Sequence, residues 1–299
     1  MRSHLKSISP DEDLWEKSVR RKAIMMTLIH EFRASYAFME RNAFLVKRYL
    51  SWEVVWLVYS IANSLSVSFI GIGMEQLSGG QSVDGRYLVL YLVVGTLVWR
   101  YLSLIFYWIT DLIGIERWEG TIEYTLMAPI RRITHMAGQT FFAVIYSLIF
   151  SGIILVVTVM LFDIDMSKAN LVGGTLMLLV GSLSFIGVGI MGSVLPLLFP
   201  ERGSQMTHVI IAILLLVSGV YYPVSVLPEI LQKLAVVSPA TYVLDGSRLA
   251  LLEGASTRQL WPFIWPTLIM GIIAIPLGLW VFGMAERYAK RAGKLHRSG

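Results

Sequence analysis

Glu116-Arg117-Trp118-Glu119-Gly120-Thr121-Ile122-Glu123-Tyr124-Thr125-Leu126-Met127-Ala128-Pro129-Ile130-Arg131-Arg132 is a polar, helix-prone cassette between two long apolar stretches. A connection that only turns the chain round needs about two to eight residues. Residues 110–137 exceed that length, are amphipathic, and break where Ala128 meets Pro129, because a residue before proline is driven out of the helical region. A structured element held between membrane helices suits a machine whose membrane part is pushed by a separate soluble partner.

The chain around the cassette is apolar. Of 299 residues, 56% are hydrophobic and 15% charged, with a mean hydropathy of +0.66; soluble domains carry about 25% charged residues. The apolar residues gather into six blocks, Leu50–Gly73, Leu88–Ile109, Gly138–Phe162, Leu171–Phe199, His208–Leu227 and Pro262–Met284. Each is near the roughly 20 residues a spanning helix requires. The expected fold is all-α and integral to the membrane, with six transmembrane helices.

Lys and Arg set the orientation. With residues 1–49, 110–137, 200–207 and 285–299 on the inner side, 19 of the 25 basic residues lie there. Arg86, Lys168, Lys233, Arg248 and Arg258 fall on the opposite side, and Arg100 falls inside a helix. Both termini are then expected in the cytoplasm of a multi-pass plasma (inner) membrane protein. The net charge of +5 reads as orientation and contact with membrane lipids, so no nucleic-acid partner is expected. Zero cysteines exclude disulfides and thiol–metal sites. The first 49 residues hold no short apolar core with a cleavage site, so the first membrane helix is expected to insert uncut.

The chain divides into three regions: a cytoplasmic N-terminal segment over 1–49, a six-helix transmembrane domain over 50–284, and a basic cytoplasmic tail over 285–299. In the first, Asp11, Glu12 and Asp13 suit the opening turn of a helix. Trp15, Val19, Met26, Ile29 and Phe32 recur at helical spacing among Lys17, Arg20, Arg21, Lys22 and Arg33. That pattern predicts an amphipathic interfacial helix; the alternative is a soluble helical segment. Gly187-Val188-Gly189-Ile190-Met191-Gly192 matches a dinucleotide fingerprint formally but sits inside a membrane block, where close helix packing is the expected role.

On the far side, Tyr221–Ser256 is too apolar for a solvated loop. Pro228–Val237 and Ala240–Leu252 read as half-helices broken at Ser238-Pro239. A re-entrant helical hairpin over about 226–255 satisfies the backbone there.

Glu116, Glu119 and Glu123 have spacings that can share one helix face, with Trp118 and Ile122 as apolar anchors for a partner. Arg131 and Arg132 are expected as headgroup anchors. Glu53 and Arg100 lie within membrane blocks, where charge is costly and functional by default; they are expected to pair across the first two helices. Trp52, Trp56, Tyr59, Asn63 and Ser66 share one face of the first membrane helix. They could line a substrate path, or serve as an aromatic belt with interhelical hydrogen bonds. Asp163-Ile164-Asp165 reads as a solvated loop, and the five His show no ligand spacing, so no metal site and no catalytic constellation are expected.

These residues carry a resemblance to a family. Glu116-Arg117-x-x-Gly120-Thr121-Ile122-Glu123 followed by Ala128-Pro129-Ile130-Arg131 is similar to the "E-R-E-x-G-T-L-E … P-I" coupling segment of the membrane subunits of type-2 ABC exporters (ABC-2 type transporters). Trp118 stands where the family has a second acid, with Glu119 beside it. Ser218-Gly219-Val220-Tyr221-Tyr222-Pro223-Val224 with Leu227-Pro228 resembles the family's fifth helix entering its hairpin. Ser238-Pro239-Ala240-Thr241-Tyr242 with Arg248 resembles the hairpin's second arm. The resemblance spans roughly residues 20–285.

It implies a permease subunit whose coupling helix, at about 110–130, contacts an ABC ATP-binding subunit through Glu116, Arg117, Trp118, Glu119, Gly120, Thr121, Ile122 and Glu123. It further implies two copies of that subunit and a second permease chain, as a homodimer or heterodimer. ATP and Mg would sit on the partner, since this chain has no G-x-x-x-x-G-K-[ST] phosphate loop and needs no cofactor of its own. General resemblance favours the drug- and antibiotic-resistance branch, moving an amphipathic drug-like or lipid-like substrate outward. An exporter of polysaccharide or lipid-linked glycan is the alternative. From other classes come a membrane-embedded lipid-modifying enzyme with Asp111, Glu116 and Glu119 as metal ligands, and an ATP-independent channel or carrier.

Overall fold

The computed structural model describes residues 10–77, 85–162, 164 and 166–293, and those residues are mainly helical, with no strand among them. The first helix, α1 (Pro10–Arg48), runs unbroken for 39 residues. The side chains of Trp15, Lys17, Val19, Arg20, Arg21 and Lys22 lie outside the described set, as do Asp163 and Asp165. The second half of α1 packs on α5 (Arg132–Phe162). Gly138 permits the approach, because a Cβ there would stand 2.4 Å from the Ser35 carbonyl oxygen. Met26, Phe32, Tyr36 and Phe44 on α1 remain exposed.

Five helical stretches are long and apolar enough to cross a membrane: Leu50–Met74, Tyr87–Arg117, Arg132–Phe162, Leu171–Leu198 and Trp261–Arg291. They belong to α2 (Leu50–Leu77), α3 (Gly85–Glu119), α5, the pair α6 (Leu171–Gly192) and α7 (Val194–Leu198), and α11 (Trp261–Arg291). The chain is therefore an all-α membrane protein. The block expected as a further full span forms α8 (Gly203–Val217), only 15 residues, or about 22 Å at 1.5 Å per residue. It stops at Ser218 because Gly219 takes φ +72, a left-handed cap that glycine adopts without steric cost.

The core gathers on α3, whose Tyr101, Leu102, Ile105 and Phe106 are fully buried. Helices α2, α5, α6 and α10 (Pro239–Leu251) pack around it. Helix α6 also lies flat on α11, where a Cβ on Gly187 would fall 2.4 Å from the Ala274 carbonyl carbon. On its other side, Gly189 meets Ile109 and Gly192 meets Phe106, both of α3. The glycine string is thus a two-sided packing face: bare backbone lets three helices approach where larger residues would hold them apart.

Candidate functional site

The cassette is two pieces, which corrects the expectation of one helix over 110–130. Helix α3 continues through Glu116 to Glu119 and ends at Gly120, with φ +74. The Gly120 N–H donates to the Arg117 carbonyl at 3.2 Å. After this turn comes α4 (Ile122–Met127), six residues long, which ends with Ala128 extended before Pro129. Ile122 and Leu126, four apart, point into the core, whereas Tyr124 and Met127 are 80% and 82% exposed. Ile122 is therefore a core residue and no partner anchor; the side chain of Trp118 lies outside the described set.

The three carboxylates do not share an exposed face. Glu116 is fully buried, with Oε1 2.8 Å from Arg41 Nη1 and 3.5 Å from His135 Nε2. The reason is that this side of α3 packs inward, and the Gly120 turn sends α4 off in a new direction. Glu119 is exposed and Glu123 half-buried. Arg117 is buried and within electrostatic range of Glu123. Thr121 Oγ1 donates to the Glu116 carbonyl at 3.4 Å.

Two clamps hold the cassette. On one side, α1 meets α5 through Thr134 donating to Glu31, Asn42 donating to Gln139, and Phe38 edge-on to His135 at 4.7 Å. On the other, Arg132 Nη2 donates to the Leu126 carbonyl at 2.6 Å and to Glu286 Oε1 at 2.7 Å. Lys290 Nζ lies 2.7 Å from the same carboxylate and 3.4 Å from the Leu126 carbonyl. Cations on the last carbonyls satisfy a helix C-terminus that would otherwise be orphaned. Arg132 is thus an internal clamp, which corrects its reading as a headgroup anchor; Arg131 is exposed, 3.5 Å from Glu31. Helix α4 is thereby tied to α3, α5 and α11.

Within the membrane blocks, the expected Glu53–Arg100 pair does not form. Glu53 accepts from the Tyr146 hydroxyl, and Arg100 stands 5.5 Å from the Phe150 ring with its buried Nε unpartnered. Tyr146 and Phe150, both of α5, are the partners that Glu53 and Arg100 take instead of each other. Trp52, Trp56, Tyr59, Asn63 and Ser66 are all exposed on α2. The three rings stack edge to face at 6.2 and 5.8 Å. Sequence reasoning singled out Arg100 and Asp111 separately but missed Tyr107 and His208, which stand with them. Tyr107 reaches His208 Nδ1 at 2.9 Å, and Asp111 lies within range of His208. Arg100, Tyr107 and Asp111 recur at helical spacing on α3, the signal that could have exposed them.

At the opposite end, Pro223 precedes a short 3-10 turn over Val224–Val226, Pro228 caps α9 (Glu229–Val237), and Pro239 opens α10. Tyr242 donates to the Val236 carbonyl at 3.0 Å, tying the two helices together. Arg248, 7% exposed, donates to the Gly219 and Val220 carbonyls at 3.0 and 2.7 Å and lies 3.5 Å over the Tyr91 ring. It joins α10 to the end of α8 and to α3. Helix α10 is buried on one side, whereas α9 exposes Ile230, Val236 and Val237.

Among the described residues, no group of three or more His, Asp or Glu could hold a metal ion. A family model described as ABC-2 type transporter matches residues 46–252, more than two thirds of the chain and the stretch from α2 through α10. No curated protein matches the chain.

Proposed function

This chain belongs to the ABC-2 type transporter family, and we propose that it is the permease subunit of an ATP-driven exporter carrying an amphipathic, drug-like or lipid-like substrate out across the plasma membrane. Permeases of this family are multi-pass membrane proteins that work with ABC ATP-binding subunits. The proposal adds two such subunits, which bind ATP and Mg, and a second permease chain of the same or a related kind. It places both termini in the cytoplasm and the chain in the drug-resistance branch.

The observation that carries the reading is the α4 surface. Tyr124 and Met127 stand free while the back of the same helix is clamped by Arg132, Glu286 and Lys290. Large apolar side chains fixed on a rigid support are the usual anchors of an interface. Glu119, Glu123 and these two residues form the coupling contact in this reading; Glu116, Arg117, Gly120, Thr121 and Ile122 hold it from behind. Helix α8 is a sixth, shortened span. Helices α9 and α10 form the re-entrant hairpin, with Ile230, Val236 and Val237 facing lipid. The second permease chain covers the stripe from Trp52 to Ser66 and makes it one wall of the substrate path. The exposed apolar residues of α1 rest on the inner membrane surface, so 1–49, 50–284 and 285–299 act as interfacial segment, membrane domain and tail.

Affinity purification in mild detergent tests the reading. An ATP-binding subunit is expected to accompany the tagged wild-type chain and to be lost from a Glu119→Ala/Glu123→Ala/Tyr124→Ala/Met127→Ala variant. Wild-type protein emerging with no ATP-binding subunit overturns it.

A further inference from the structure

A groove of about 570 Å³ lies between the second half of α1, the start of α2 and the middle of α5. Its walls are mainly apolar, with Leu57, Ile145, Ile149 and Phe150 among them, yet Glu40 and Glu53 also line it. No Lys, Arg or His does so among the described residues. Arg41, Lys47 and Arg48 line a separate depression along α1, and Arg100, although 5.5 Å from the Phe150 ring, is not part of the lining. Glu53 accepts one hydrogen bond, from Tyr146, whose ring stacks on Phe150 at 5.6 Å.

Glu53 is half-buried and Glu40 exposed at the rim; a carboxylate partly held among apolar side chains is costly unless a positive charge completes it. The Tyr146 ring is itself stacked between Phe142 and Phe150, but the exposed ring of Tyr36 also lines the groove and adds attraction for an organic cation. A phospholipid headgroup would bring its phosphate against two negative charges. The groove's length of aliphatic wall suits a tail, and its acidic, aromatic part suits an ammonium head.

We infer that this groove is a binding site for a cationic amphiphile, a compact apolar or single-chain molecule bearing an amine or quaternary ammonium. The ammonium sits between Glu40 and Glu53 and against Tyr36, with the tail along Ile145 and Ile149. Binding stands on the groove alone. That the bound molecule is the transported substrate rests on the permease reading above.

The test uses the purified full chain in phosphatidylcholine nanodiscs, with three dodecyl nitroxide probes that differ only in the head: quaternary ammonium, uncharged hydroxyl and sulfate. Electron paramagnetic resonance reads the immobilised fraction, and empty nanodiscs correct for partition. The ammonium probe is expected to bind about tenfold or more tightly than the hydroxyl probe, the scale of one well-formed charge contact in a partly dry site. The sulfate probe is expected to bind weakest. Glu40→Gln/Glu53→Gln should remove the charge preference, because Gln keeps the acceptor for Tyr146. Ala43→Trp, which fills the groove from an exposed position on α1, should abolish binding without lowering the melting temperature.

Equal binding of the ammonium and hydroxyl probes overturns the inference. A preference that survives both variants also overturns it, by putting the site elsewhere, and displacement of the probe by phosphatidylethanolamine overturns it by making the occupant a lipid. None of these outcomes depends on an ATP-binding subunit, so failure here and failure of the permease reading are separate results.

Discussion

Arg132 grips Glu286 through two parallel contacts, Nε to Oε2 and Nη2 to Oε1, each 2.7 Å. The residues stand 154 positions apart in sequence, yet they join α5, α11 and the C-terminus of α4 at one point. Only a guanidinium presents donors in the fork that such a contact requires.

Arg132→Gln and Glu286→Gln are each expected to destabilise the protein by about 2 kcal/mol, since each strands a largely buried partner. The double variant should cost less than the sum of the singles. Lys290→Ala should cost less than either, because Lys290 is 43% exposed and its charge is screened by water. Thermal unfolding in detergent reads all four.

The two faces of α4 should separate contact from stability. Tyr124→Ala with Met127→Ala should leave stability within about 0.5 kcal/mol while releasing the ATP-binding subunit. Leu126→Ala, which empties a core position, should cost about 2–5 kcal/mol. Melting temperature and co-purification, measured together, distinguish these results.

Arg248 tests the join between α10, the end of α8 and α3. Arg248→Met leaves the Gly219 and Val220 carbonyls without their donors, at a cost of about 1–3 kcal/mol for each group that stays dry. Arg248→Lys should recover only part of this, because one ammonium lacks the fork that spans both carbonyls. Equal melting temperatures for Lys and Arg would show that charge alone is needed.

Double-mutant cycles distinguish the partners of Glu53. Glu53→Gln with Tyr146→Phe should be non-additive, whereas Glu53→Gln with Arg100→Gln should add to within about 0.5 kcal/mol. Coupling to Arg100 would contradict the arrangement in which Glu53 meets Tyr146 and Arg100 lies over Phe150.

Gly187→Ala should loosen α6 from α11, since the added methyl meets Ala274 backbone at 2.4 Å and neither backbone can yield cheaply. Gly152→Ala on α5 has open space around it and should be neutral or gain up to about 1 kcal/mol from helix propensity. The pair of melting temperatures separates close packing from a general intolerance of glycine substitution.

The family motif and the local breaks were legible because they depend on neighbours in sequence. Pro129 forces Ala128 to extend, an effect that acts within one residue. The break at Ser238-Pro239 is of the same kind, and so is the helical spacing that puts Trp52, Trp56 and Tyr59 on one face. The turn at Gly120, which splits the cassette, was not foreseen, although glycine alone takes its φ of +74 at no steric cost. The block expected as a span at His208–Leu227 forms a helix that starts and stops earlier, α8 (Gly203–Val217), for the same local reason read too coarsely. Apolarity continues past Val217, but Gly219 takes a conformation no helix can carry on.

Sequence alone therefore determined that this chain is an apolar helical protein with a polar cassette between two blocks, since composition and periodicity are properties of the string. Only the tertiary structure decided which charges are contacts and which are clamps. Glu116 and Glu119 are three residues apart and chemically alike, yet one is sealed against Arg41 and the other is open. Arg131 and Arg132 are neighbours, yet one is exposed while the other locks α4 to α11. The physical reason is that burial and pairing depend on what residues a hundred positions away bring to the same point, and spacing along one helix carries no trace of that.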